Sequence, residues 1–573
     1  MSHIGRGFDQ PPFHGVDFES GVMLELPDGC RLAADVYTPS APGAYPVLLM
    51  RQPYGRDIAS TVVYAHPTYF ARQGYIVVIQ DVRGRGGSDG AFYAFRNEEA
   101  DGEATVHWAA GLPKSNGRVG MYGFSYQGST QLLAALRKPE PLRALAPHMT
   151  AFDLYSGWFY RSGILQLATT TSWGNQMLRE DARRAGAREA YRALEASWGS
   201  PGTLNRRFPL NRIAEFQDEA LPAYARDWLT HPDKDGYWAA FDLLRRVNDL
   251  ALPMYHIGGW YDFYARGTVD GYTAMRETRA ARDQLLVAGP WVHIPWGNRV
   301  GPGDFSTAAR LDTDALLVAF MDRHLKERPP DPALGPVTGA RYFSLGENRW
   351  VTSTVWPPPE AETRTVYLAS RGRANSRFGD GRLDPEAATG PEDLFNYDPE
   401  VPVVAPGGNH GGATGFGPFD QAAMQQGNNL LVYTAEPGLS RVSMAGRPSC
   451  TLFVASTAPD TDFVVRLTHV TPAGKARFLT LGAAPLRQGS PGPGGSVRLE
   501  IALDPIAFCL ETGDQLRLDV ASSAYPLLAR NPNTGTSALA VEGPEQFQRA
   551  LQVIYHDAQR PSCLHLPILP AGV

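Results

Sequence analysis

Three residues of this 573-residue chain have the types and the chain order that acyl transfer to a serine requires. Ser125 stands in Gly123-Phe-Ser125-Tyr126-Gln127-Gly128, Asp262 follows Gly258-Gly-Trp-Tyr, and His293 ends Gly289-Pro-Trp-Val-His293. A serine hydroxyl is a poor nucleophile until a base takes its proton. Histidine titrates near neutrality, so it can take that proton and return it to a leaving group. A carboxylate behind the ring fixes the tautomer and stabilises the imidazolium. On open α/β sheets the order Ser, then Asp or Glu, then His supports this chemistry.

Taken alone, Ser125 has two readings. Val119 to Tyr122 predicts a short buried strand and Thr130 to Leu136 an apolar helix, with Gly123, Ser125 and Gly128 leaving room for a sharp turn between them. A serine on such a turn projects clear of the sheet at a helix N-terminus, which favours developing negative charge. The usual elbow is Gly-x-Ser-x-Gly, however, and here Gln127 occupies the second glycine position. A serine ahead of a helix is also a common N-cap.

The elements around the three residues favour the first reading. Val22 to Leu26 and Leu32 to Tyr37, joined by Pro27-Asp-Gly29, predict an antiparallel hairpin. Pro46 to Met50 and Tyr75 to Ile79 predict buried strands, with helices near Tyr69 to Arg72 and over Glu98 to Ala110. Residues 147–243 break this alternation with helical text such as Met177 to Arg184 and Ala187 to Ala196, which predicts an inserted cap whose aromatics mostly pack its own core. The alternation resumes with strands Leu252 to Ile257 and Gln284 to Ala288 and helices over Ala265 to Arg276 and Asp312 to Lys326. Ser125, Asp262 and His293 therefore each follow the C-terminal end of a predicted strand, where open α/β sheets place their sites. From about residue 340 short β-branched runs separated by Gly, Pro and Asp predict a β-sandwich. The expected division is an α/β core over 1–146 and 244–338, a helical cap over 147–243 and an all-β domain over 339–573.

Composition narrows the function classes. Apolar content of 43% and charged content of 20% are ordinary for a globular protein. A net charge of -6 and pI near 6.1 give no basis for nucleic acid or an anionic membrane as partner. Cys30, Cys450, Cys509 and Cys563 are scattered without a Cys-x-x-Cys pair, which fits a reducing compartment and neither a zinc site nor a disulfide scaffold. The N-terminal residues lack the apolar core of a signal peptide and no transmembrane run is present, so a cytoplasmic protein is expected. No metal or organic cofactor is implied.

Other candidates carry less. Gly84-x-Gly86 follows a strand, but Asp89 holds the third glycine position of a dinucleotide loop, so an arginine-anchored structural loop is expected. His256 lies within a strand and is read as a core residue, and His410, in a glycine-rich run far downstream, is not assigned to the site. An oxyanion hole needs two donors. The backbone N–H of Tyr126 supplies the first. Tyr54, in Arg51-Gln-Pro-Tyr54, offers a hydroxyl for the second, the alternative being an ordinary buried tyrosine.

Pro53-Tyr54, Gln80-Asp-Val-Arg-Gly-x-Gly-x-Ser88, Gly123-Phe-Ser-Tyr-x-Gly128, Gly259-Trp-Tyr-Asp262 and Gly289-Pro-Trp-x-His293 together resemble the cocaine esterase and X-prolyl dipeptidyl peptidase family of serine hydrolases. Pro459-Asp-Thr-Asp-Phe-Val-Val-Arg-Leu and Asp519-Val-Ala-Ser-Ser-Ala-Tyr-Pro resemble its C-terminal jelly roll. The resemblance implies an α/β-hydrolase core with an inserted helical cap and a C-terminal all-β jelly roll. It implies a Ser125–His293–Asp262 triad, the Tyr54 hydroxyl as second oxyanion donor, and the Gly-x-Ser-Tyr-x-Gly spacing as normal. Members acting on α-amino acid esters carry a carboxylate pair where this chain has Tyr264 and Ala265, so that activity is disfavoured. Glu180 and Asp181 are read as solvated on a cap helix. Trp158, Phe263, Tyr264 and Phe416 would line an apolar acyl pocket, pointing to a carboxylesterase. The alternative is an X-prolyl dipeptidyl aminopeptidase or amide acylase using the same triad. The expected partner is a small ester or amide, and a homodimer is left open.

Overall fold

A computed structural model describes residues 15–200, 202–387, 389–409, 415–487 and 495–570. Its N-terminal part is built on a 10-stranded sheet. The strands are β1 (Val16–Glu25), β2 (Arg31–Pro39), β3 (Tyr45–Gln52), β4 (Ile76–Asp81), β5 (Ser115–Phe124), β6 (Leu142–His148), β7 (Met254–Gly259), β8 (Gln284–Gly289), β9 (Gly339–Ser344) and β10 (Arg349–Ser353). Their order is β1-β2-β4-β3-β5-β6-β7-β8-β9-β10. From β4 to β9 all neighbours run parallel, while β1, β2 and β10 pair antiparallel at the edges.

Parallel strands must be covered on both faces, which explains their near-continuous apolar text. In β3, Val47 and Leu49 face one helical layer, while Leu48 and Met50 face the other. Helix α1 (Pro67–Arg72) lies on the second face, and α2 (Glu98–Ala110) and α3 (Tyr126–Ala135) on the first. Between β6 and β7 the chain forms the cap with helices α4 (Leu167–Ala185), α5 (Arg188–Trp198), α6 (Tyr224–Thr230) and α7 (Gly236–Ala239). Its aromatics largely pack each other, as in the Trp173–Trp228 stack at 4.9 Å. Helix α8 (Ala265–Met275) follows β7, and α9 (Thr313–Leu325) covers the second face through Leu317, Phe320 and Met321. Among the described residues no helix is long and apolar enough to cross a membrane.

The C-terminal part is a 13-stranded all-β arrangement whose strands run from Glu362–Ala369 to Cys563–Ile568. The short β-branched runs noted in the sequence fall largely in its strands, among them Asp460–Val470 paired with Ala476–Arg487. The strand pairing of the α/β sheet runs past the boundary expected at 338/339. β9 and β10 extend the α/β sheet by hydrogen bonding to β8 and to each other, so the all-β arrangement starts at Glu362. Their text looks like that of the following strands, and only pairing separates them.

A buried ion pair joins the cap to the β domain. Arg161 Nη1 and Nη2 donate to Asp504 Oδ1 and Oδ2 at 2.6 and 2.8 Å, and Asn409 Nδ2 also donates to Oδ2 at 2.5 Å.

Candidate active site

Ser125 occupies the single residue between β5 and α3, at φ 61° and ψ -128°. This left-handed conformation is costly for a residue with a Cβ, by about 1–3 kcal/mol, and persists only where the surroundings enforce it. The Ser125 N–H is held by the carbonyls of His148 and Met149 at 3.0 and 3.2 Å, at the end of β6. Gly123 has φ 143°, and a Cβ there would lie 2.5 Å from the Gln127 Cβ. A Cβ on Gly128 would lie 2.7 Å from Thr150 Cγ2. The spacing of the motif follows from these contacts. Gln127 is buried, accepts from the Phe124 N–H at 3.2 Å, and donates to Gln52 Oε1 at 3.0 Å and Ser60 Oγ at 2.5 Å. The residue that departs from the usual elbow thus ties the turn to the segment bearing Tyr54.

That segment has its own anchor. Arg51, at the end of β3, donates from Nη1 to Glu98 Oε2 at 2.8 Å and from Nε to Gln80 Oε1 at 2.9 Å. Glu98 also accepts from the Tyr126 hydroxyl at 2.8 Å. The Tyr126 side chain is therefore fixed beneath α3, while its backbone N–H belongs to the first turn of the helix, where no intrahelical acceptor exists.

Asp262 lies in the β7–α8 turn, its N–H donating to the Gly259 carbonyl at 3.0 Å. His293 lies past β8. The two loops interlock, because Trp260 and Tyr261 donate backbone hydrogen bonds to the carbonyls of Gly289 and Trp291 at 2.9 and 3.1 Å. His293 Nδ1 is 3.0 Å from Asp262 Oδ1. Asp262 is buried, which pushes its carboxyl up; the His293 ring and the backbone amides of Tyr264 and Phe263 pull it back down. Phe124, Phe263 and Tyr264 pack around the imidazole with ring centroids at 5.2, 4.7 and 5.2 Å. The ring is thereby held beside the residue preceding Ser125, and its Nε2 is the nitrogen left for a reacting group.

Two tyrosines share the cavity of Ser125, Tyr54 and Tyr264. Burial pushes the Tyr54 hydroxyl up, opposed by the polar groups of Trp173 and Ser125 nearby. Burial pushes Tyr264 well up too, against a smaller pull from the nearby Ser125 hydroxyl. Both remain protonated at neutral pH and available as donors. Tyr264 lines the cavity, and nothing in the sequence separates it, with its hydroxyl, from a wall phenylalanine. Trp173 was missed because it sits on a cap helix among aromatics that pack inward.

Ser125, His293, Tyr54, Phe263 and Tyr264 line one cavity of about 1330 Å³. Trp158 and Phe416 are corrected to a second layer, outside its lining. Trp158 lies behind Tyr264 and Trp173, with centroids at 4.4 and 5.3 Å, and Phe416 stacks behind Phe263 at 6.2 Å. Asp181 is not solvated; it is buried, paired with Arg85 Nη2 at 3.0 Å and accepting from the Tyr224 hydroxyl at 2.5 Å. That pairing anchors the Gly84-x-Gly86 loop to α4. Glu180 lines the cavity but is held by Arg183 at 2.7 Å.

His256 is a core residue beside Gln284 at 3.1 Å, and burial lowers it to about 4. His410 lies outside the described residues. A second grouping, Ser370, His556 and Asp393, is buried in the β domain. There His556 Nε2 faces both Ser370 and Asp393, at 3.2 and 3.0 Å, so one nitrogen would have to serve both partners and no relay through the ring is available.

Comparison with known proteins matches both parts of the chain. A family model described as X-Pro dipeptidyl-peptidase (S15 family) covers residues 28–295. The model of the X-Pro dipeptidyl-peptidase C-terminal non-catalytic domain covers residues 338–565. The chain is 33% identical to cocaine esterase from Rhodococcus sp. (strain MB1 Bresler) over 579 residues, 96% of this chain and 98% of that protein. Among solved structures it is similar to a selenomethionine-labelled α-amino acid ester hydrolase, at 22% identity and TM-score 0.77, covering 99% of this chain and 100% of that one. An aminopeptidase from a marine sediment archaeon, Thaumarchaeota archaeon, gives the same TM-score of 0.77 at 22% identity over 97% of each chain.

Proposed function

Because the chain belongs to the X-Pro dipeptidyl-peptidase S15 family and is an ester hydrolase of that family, we propose that it cleaves carboxylic esters through a Ser125–His293–Asp262 triad. The observation that carries this reading is the 3.0 Å contact between His293 Nδ1 and Asp262 Oδ1, in a ring that shares the cavity of Ser125. Nδ1 is committed to the carboxylate, so Nε2 is the base that takes the Ser125 proton as Oγ attacks the ester carbonyl. The Tyr126 N–H and the Tyr54 hydroxyl receive the oxyanion. His293 then protonates the leaving oxygen, the C–O bond breaks, and an acyl-Ser125 ester remains. Water, deprotonated by the same nitrogen, releases the acid.

The acyl group is apolar or aromatic on this reading, as for an esterase of the cocaine esterase type. Phe263, Tyr264 and Trp173 supply the walls near Ser125. Among the described lining residues the carboxylate is Glu180, and Arg183 engages it. A substrate ammonium therefore lacks the free carboxylate that peptidase action on an N-terminus needs. Comparing p-nitrophenyl acetate, butyrate and benzoate with Gly-Pro-p-nitroanilide tests the reading. Ester hydrolysis should dominate by kcat/KM, and a preference for the dipeptide anilide would overturn it.

A further inference from the structure

The cavity mouth has a composition that the site chemistry does not require. Of its lining residues, Ile58, Val62, Trp198 and Ile294 are large and apolar yet 52%, 48%, 42% and 44% exposed. They come from three separate places in the chain: the turn after Tyr54, the end of α5, and the residue following His293. Lone exposed apolar residues are unremarkable, whereas four converging on one opening form a patch that marks a binding surface. The charged residues of the lining are paired. Arg179 contacts Glu195 at 2.9 Å and lies 4.6 Å over the Trp198 ring, and Arg183 pairs with Glu180. The lining itself therefore offers contact area without a free charge.

The direction of the chemistry says which half of an ester meets it. The leaving oxygen must sit beside His293 to receive its proton. From there the lining continues through Ile294, Pro295, Trp296 and Gly297. The walls at Phe263, half-buried, and Tyr264, buried, pack on the imidazole with ring centroids at 4.7 and 5.2 Å, and on the proposed reading they take the acyl group. The alcohol is then left with the way out.

We propose that Ile58, Val62, Trp198 and Ile294 form an alcohol subsite selecting esters of large, uncharged, apolar alcohols; this rests on Ser125 and His293 acting as nucleophile and base. Esters of short or cationic alcohols leave the rim in water and gain nothing from it.

The test holds the acyl group constant and varies the alcohol at nearly constant leaving-group acidity: ethyl, butyl and hexyl acetate in a pH-stat, below their solubility limits. Rates are taken per active site, counted by fluorophosphonate labelling, so misfolded protein does not enter. The wild-type kcat/KM should rise roughly tenfold or more from ethyl to hexyl acetate, and the variant Ile58→Ser/Trp198→Ala/Ile294→Ser should lose about tenfold of that ratio. A flat wild-type series, or an unchanged ratio in the variant, overturns the proposal. So does a wild-type dimer that the variant converts to monomer, which would assign the rim to a second copy of the chain. Failure of the functional reading looks different: no acetate ester is turned over and no serine is labelled.

Discussion

The Gln127 side-chain amide lies 3.0 Å from Gln52 Oε1, joining the nucleophile turn to the strand end that precedes Tyr54. The same amide reaches Ser60, and its oxygen accepts from Phe124. Gln127 is a positioning residue on this account, setting the distance between Ser125 and the Tyr54 hydroxyl. Gln127→Ala should lower kcat per titrated serine roughly 10- to 100-fold, since small misplacements of reacting groups are costly. KM for p-nitrophenyl butyrate should stay near the wild-type value. A loss of thermal stability with kcat per active site intact would reduce Gln127 to a packing role.

Tyr54→Phe removes one proposed oxyanion donor while keeping the ring. The expected cost is roughly 10²-fold or more in kcat. Burial pushes the Tyr54 hydroxyl up, so the pH profile of ester hydrolysis should show no tyrosine ionisation below pH ~10. Tyr264→Phe, measured alongside, separates the two tyrosine hydroxyls of the cavity. If Tyr264→Phe carries the loss and Tyr54→Phe does not, the oxyanion assignment passes to Tyr264.

Asp462 predicts a pH effect on stability remote from the site. It is buried on the strand Asp460–Val470, which pushes its carboxyl from 3.8 up to about 7, against the pull of Arg487 and Asn531. The folded state thus holds this proton to higher pH than the unfolded chain does. The stabilising contribution is fully present below about 3.8 and is lost as pH rises through about 7. Asp462→Asn keeps an acceptor for Asn531 and removes the titration. The fall in Tm between pH 5.5 and 8.5 should be smaller in Asp462→Asn than in wild type, by scanning calorimetry. An equal fall in both would contradict the assignment.

The parts of this molecule visible in its text are those governed by local chemistry. A parallel strand covered on both faces leaves an apolar run, and a sharp exit from it leaves glycines. Ser125, Asp262 and His293 could therefore be placed at strand ends before any contact was known, and the structure brings Asp262 and His293 into hydrogen-bond contact. Walls and boundaries depend on tertiary placement. Trp158 and Trp173 read alike in sequence, yet α4 presents Trp173 to the cavity while Trp158 is packed behind it. β9 and β10 share β-branched and aromatic text with the strands that follow, and only their pairing assigns them to the α/β sheet. Asp181 looked like a surface acid because its partners, Arg85 and Tyr224, come from distant segments.

The central claim, that Ser125 is the nucleophile, is tested most directly by p-nitrophenyl acetate hydrolysis in wild type and Ser125→Ala at equal concentrations of folded protein. The account predicts a loss on the order of 10⁴-fold or more in kcat, together with loss of fluorophosphonate labelling. Hydrolysis in Ser125→Ala at the wild-type rate would contradict it.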